Sequence, residues 1–252
     1  MIVAVAAANI ALGLIYTCYG VMTIIDLKNG WRTRGLSHFG LAWIAMAFTC
    51  GPHHLEHGLH AGISAGNAGS LDFLAVGLGA PAGLTWFLLR VEAMFGGSGD
   101  RFIPGTPRAV RWLPWIAVAY VVAVVGAMAW ILRDGVHLTP RITPNILLLF
   151  VYSLIGYYLL RTQLYNRGPS GGWSLSGIAL TIVFPTCGVM HAIFAAYASS
   201  GSYAVESHGL VIDWLAVPAA IYFVWVVRAL HLGTFTDWNE GAEGVRTRVA
   251  LA

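Results

Sequence analysis

The sequence predicts an all-α integral membrane protein, a bundle of seven transmembrane helices, and three observations carry that prediction. The chain of 252 residues is 58% hydrophobic. Only 10% of it is charged, against roughly a quarter in soluble domains. Its apolar residues gather into seven long runs, each near the roughly 20 residues that cross about 30 Å of hydrocarbon.

The runs lie near 3–26, 38–61, 71–91, 112–132, 144–163, 174–198 and 209–232. They are continuous rather than alternating, so they read as helices and not as barrel strands. No basic residue precedes the first run and no cleavage site follows it, so it reads as a retained helix rather than a signal peptide. Trp31, Trp112, Trp115 and Trp173 fall near run ends, where an aromatic belt is expected.

Basic residues set the orientation, because cytoplasmic loops collect Lys and Arg. With the N-terminus outside, the cytoplasmic segments hold Lys28, Arg32, Arg34, Arg90, Arg101, Arg108, Arg111, Arg161, Arg167, Arg228, Arg246 and Arg248. The outer loops hold only Arg133 and Arg141. An N-out, C-in, multi-pass protein of the plasma (inner) membrane follows. The net charge of +3 then anchors the inner leaflet, and no nucleic-acid partner is expected. Cys18, Cys50 and Cys187 all fall inside apolar runs, so no disulfide framework is implied.

The runs repeat. The first carries Asn9-Ile10, Leu12, Tyr16 and Gly20, and the fifth carries Asn145-Ile146, Leu148, Tyr152 and Gly156 at the same spacing. The second carries Gly40, Ala42 and Thr49-Cys50-Gly51, and the sixth Gly177, Ala179 and Thr186-Cys187-Gly188. The third opens on Asp72 and the seventh on Asp213, each the first residue of a similar five-residue start. A single membrane domain of 3+1+3 architecture is expected: repeat A over 1–95, a linker helix over 108–135, repeat B over 142–235 and a short cytoplasmic tail over 236–252. Parallel repeats imply a pseudo-twofold axis along the membrane normal, with a site at the repeat interface. The layout resembles that of opsins and small-solute transporters. The likeness to microbial rhodopsins extends to acids early in the third and seventh runs and to Pro185 in the sixth. The only lysine, Lys28, lies outside the seventh run, so that resemblance implies no retinal Schiff base.

Chemistry concentrates at the end of the second run, which reads Cys50-Gly51-Pro52-His53-His54-Leu55-Glu56-His57-Gly58-Leu59-His60. On a helix, Cys50, His53, His54, His57 and His60 share one face, and i, i+4 and i, i+3 histidine pairs can bind one ion. The sixth run adds His191 at the repeat position of His54, and Asp213 and Asp72 open their runs near the same depth. Ionisable groups within the membrane are costly and mark functional sites. The expected metal-ligating set is therefore His53, His54, His57, His60, His191, Asp213, Asp72 and His208, with Glu56 and Asp213 as candidate catalytic acids. Competing readings are helix capping for Asp72, interfacial wetting for His60 and His208, and packing for the cysteines. Pro52, Pro185, Pro81 and Pro218 are expected to break their helices beside this cluster.

Imidazole with carboxylate suits zinc, iron or copper. The expectation is a polytopic metalloprotein with a histidine-rich site near the extracytoplasmic face, a membrane-embedded metalloenzyme acting on a lipid-phase substrate, a lipid or a quinone. One alternative is a metal-ion or small-solute transporter. A second is a b-type haem electron-transfer protein with two axial histidines.

Overall fold

The computed structural model describes residues 1–64, 70–105, 108–133, 138–200, 210–234 and 237. Seven long helices dominate: α1 (Ile2–Arg34), α2 (His38–Ser64), α3 (Ser70–Met94), α5 (Leu113–Leu132), α6 (Ile142–Asn166), α7 (Leu175–Ser200) and α8 (Leu210–His231). A single turn, α4 (Arg108–Arg111), precedes α5. Two dipeptide strands, β1 (Phe102–Ile103) and β2 (Trp173–Ser174), pair antiparallel.

Five helices, α1, α3, α6, α7 and α8, are long and apolar enough to cross a membrane. α2 has the length, but its histidines and Glu56 lower its hydropathy. α5 holds a shorter apolar stretch, Trp115–Ala129. Large apolar side chains face outward along several helices, as at Val3, Leu78, Val122 and Val211. Contiguous exposed apolar surface is costly in water and natural in lipid, so the chain is a membrane-type helical protein.

α1 packs most extensively on α2, and α6 on α7; α3 lies against α7, and α8 against α2. The α1–α2 contact is close because glycines carry it. A Cβ on Gly13 would meet the Gly51 carbonyl at 2.8 Å, and one on Gly58 would meet the Ala6 carbonyl at 2.9 Å. Small residues let helix backbones approach where lipid gives no hydrophobic drive to associate.

Three sequence expectations change here. Pro52, Pro81, Pro185 and Pro218 all sit inside continuous helices. Each proline removes one hydrogen bond, and the packed neighbours on both sides hold the rest of the ladder. α1 continues to Arg34, so Lys28 is helical rather than in a loop. Trp173 is 2% exposed and packs in the core, whereas Trp31, Trp112 and Trp115 are exposed as a belt requires.

Two aspartates tie down the starts of α2 and α7. Asp237 accepts hydrogen bonds from Ser37 Oγ (2.7 Å) and from the His38 and Phe39 backbone N–H groups (2.7 and 3.3 Å). Asp100 accepts from Ser174 Oγ (2.6 Å) and the Ser176 N–H (2.9 Å). Each serine in turn accepts from a glycine N–H three residues on, Gly40 and Gly177. These carboxylates satisfy orphan donors of helix N-termini from a distance. Asp237, in the segment expected only as a short tail, thus has a partner in the helical bundle.

Candidate metal centre

His53 on α2, His191 on α7 and Asp213 on α8 meet in the interior. Their candidate ligand atoms all lie within 4.8 Å of one another. The three residues are 8%, 3% and 6% exposed. His53 Nδ1 and Asp213 Oδ1 stand 3.0 Å apart, yet Asp213 Oδ1 has no hydrogen-bond partner among the described residues. They form a buried imidazole–carboxylate pair. The His53 and His191 ring centroids are 5.1 Å apart. Imidazoles bound at about 2.0–2.1 Å to one tetrahedral ion would put their centroids roughly 5 Å apart.

Asn145 on α6 fixes the chemistry of two of these groups. Its Nδ2 donates to the Arg141 carbonyl and to Asp213 Oδ2, each at 2.9 Å. Both partners accept, so the amide nitrogen must face them and the amide oxygen must face His191. That oxygen lies 2.6 Å from His191 Nδ1. An amide oxygen only accepts, so Nδ1 carries the proton and the neutral ring presents a bare lone pair at Nε2. This is the usual outer partner of a metal-bound histidine, fixing both tautomer and ring orientation.

α1 and α2 hold a matching pair. Asn9 Nδ2 donates to the Val5 carbonyl at 2.9 Å, and Asn9 Oδ1 lies 2.7 Å from His54 Nδ1. Tyr16 lies beside His54 with ring centroids 5.5 Å apart, and Tyr152 beside His191 at 5.4 Å. The match stops at the next position. α2 has His53 where α7 has Met190.

The other described candidates are not part of this group of three. His54 is buried beside the triad but outside its group. His57 is buried and packs edge-on against Phe194 at 4.7 Å. His60 and Glu56 are half-buried farther along α2. Asp72 is 2% exposed and accepts from the Tyr197 hydroxyl at 3.3 Å. His208 lies outside the described residues. Cys50 Sγ contacts the Tyr152 hydroxyl at 3.1 Å.

Sequence reasoning used Asn9 and Asn145 only as markers of the repeat and missed their chemistry. A signal was present: an asparagine inside an apolar run must find partners, because an unpaired amide in hydrocarbon is costly. Comparison with protein-family models, with curated proteins and with solved structures found no match. The site's own geometry therefore carries the functional reading.

Proposed function

We propose that the protein is a membrane-embedded metalloprotein that holds one zinc, iron or copper ion between α2, α7 and α8. His53, His191 and Asp213 are its direct ligands, and Asn145 orients two of them. The observation that carries this reading is the convergence of two imidazoles and a carboxylate, all buried, with candidate ligand atoms within 4.8 Å of one another. Three protein ligands leave a position open, which is the pattern of catalytic rather than structural sites. The reading is accordingly a metalloenzyme for a lipid-phase substrate, a lipid or a quinone. Glu56, one turn beyond His53 on α2, is its candidate proton carrier.

The architecture proposed with it is seven spans, N-out and C-in, in a 3+1+3 parallel repeat. The paired contacts support the repeat: Asn9–His54 with Asn145–His191, Tyr16–His54 with Tyr152–His191, and Ser37–Asp237 with Ser174–Asp100. The β1–β2 pair joins the chain after α3 to the start of α7. That supports α3 and α6 ending on one side, with α5 crossing between them.

A transporter is the second reading, and one observation favours it. A cavity of about 660 Å³ reaches from Arg34 and Asp237 to Thr23, Arg90 and Trp43 at the opposite end of the bundle from Asp213. Aromatic rings of Trp43, Trp86, Phe184 and Phe223, packed mostly edge to face, lie along the same helices between it and the triad. The haem reading finds less support, because the space beside the triad is about 10 Å³, far below a porphyrin.

The test is metal per chain in purified wild type, His191→Ala and Asp213→Asn, with melting measured with and without chelator. Wild type should carry one ion, and both variants should lose it. Only the folded state gathers these ligands, so removal should destabilise wild type by about 2.7 kcal/mol when free metal stands at 100 times the Kd. Equal metal in all three proteins, with no effect of chelator, would leave His53 and Asp213 as a buried ion pair and end the metal reading.

A further inference from the structure

The argument that fixes His191 also fixes His54. The Asn9 amide nitrogen faces the Val5 carbonyl, so its oxygen faces His54 Nδ1 and holds the proton there. His54 Nε2 is then a bare lone pair. It is buried and has no hydrogen-bond partner among the described residues. A buried acceptor left without a donor is expensive, so this lone pair calls for a donor or a cation.

It is not placed as a ligand. The triad gathers within 4.8 Å without His54, and its ring lies 6.3 Å from that of His53, against 5.1 Å between His53 and His191. Between them lies a cavity of about 10 Å³ whose wall includes Thr49, His53, His54 and His191 but not Asp213. His53, His191 and His54 thus share one cavity wall on which Asp213 does not stand. About 10–15 Å³ holds one water.

We propose that an ion bound by His53, His191 and Asp213 keeps one coordination position facing this cavity, and that one water there is shared between the ion and His54 Nε2. The proposal rests on the metal reading above and adds the identity and the anchor of the fourth ligand. The water oxygen binds the ion and one of its hydrogens goes to His54 Nε2. Thr49 Oγ1 gives its own hydrogen to backbone carbonyls and keeps lone pairs for the other. A buried water needs two to four such polar partners. The broken match between halves explains why His191 ligates and His54 does not. His53 and Asp213 stand beside His191, whereas Met190 occupies the corresponding position beside His54.

The experiment loads full-length protein in detergent with Cu(II) alone. Pulsed EPR then counts coordinating imidazoles and detects exchangeable ligand protons by transfer into D2O. Wild type should show two imidazoles and a strongly coupled exchangeable proton. His54→Leu should keep one copper and two imidazoles but lose that proton signal. His54→Gln, which returns an accepting oxygen, should restore it. Three imidazoles in wild type would make His54 a ligand and overturn the proposal, and that count stands even if His54→Leu fails to fold. An unchanged proton signal in His54→Leu would also overturn it. Wild type that binds no copper at all would instead sink the metal reading beneath it.

Discussion

Asn145 shows how much one uncharged side chain can decide. It spends both amide hydrogens on acceptors and its oxygen on a ring N–H, so it sets the Asp213 carboxylate and the His191 tautomer together. Asn145→Ala should lower metal affinity about 10–100-fold, the usual effect of losing an outer partner. It should also cost about 1–3 kcal/mol in the metal-free protein, because buried groups lose their partner. Asn9→Ala should show a similar stability loss with metal affinity nearly intact, since Asn9 serves His54. Titration of metal into the two variants, followed by isothermal calorimetry, separates them; equal affinity losses would mean His54 belongs among the ligands. The residue scale was only partly legible in the sequence. A helical wheel placed His53, His54 and His57 on one face, but 100° separates neighbours, and only packing decides which of them points at α7 and α8. His57 turned to Phe194, a contact with no signature in spacing.

At the scale of elements, hydropathy found every long helix but stopped short where helices run past their apolar stretch. α1 overruns its apolar stretch to Arg34 and α6 runs on to Asn166, since a helix leaving lipid need not unwind. The loop contacts were not legible, because Asp100 and Asp237 sit far in sequence from the serines they hold. Burial alone would raise the Asp100 carboxyl, but hydrogen bonds from Ser174 and Ser176 outweigh it and hold the group below its ordinary range. A carboxylate depressed on folding contributes stability above its unfolded pKa and loses it as pH falls through the folded value. Wild type should therefore melt higher than Asp100→Asn near pH 6, and the gap should shrink as pH falls below about 4. Melting of both proteins from pH 6 to pH 3 checks this. A gap that stays constant would mean that the contact is held by shape rather than by charge.

At the scale of the whole molecule, the proposed repeat loses its likeness at the proposed metal site. The ordered matches of Asn9 with Asn145 and Cys50 with Cys187 were legible because both halves use the same residues at the same spacing. The break at His53 and Met190 was equally visible as sequence, but its meaning needed Asp213 beside His53. Orientation decides which compartment would supply an ion to the proposed site. The two aspartate–serine contacts, the Arg90–Asp26 pair at 3.0 Å and the basic ends Arg32 and Arg34 of α1 belong to one end of the bundle. The bias of Lys and Arg toward cytoplasmic segments predicts that end to be cytoplasmic, while Asp213, near the start of α8, belongs to the other. Reporter fusions after Gly35, Gly105 and Gly168 should therefore report cytoplasm, and fusions after Ala65 and Tyr203 should report the outside. The fusion after Gly105 against that after Gly168 is the sharpest comparison. If α5 crosses, both lie inside with one outer loop between them; if it does not, they fall on opposite sides and the 3+1+3 arrangement fails with them. The reverse pattern at all five positions would keep the architecture but turn the metal centre toward the cytoplasm, and a membrane-impermeant chelator added from outside would then leave the ion in place.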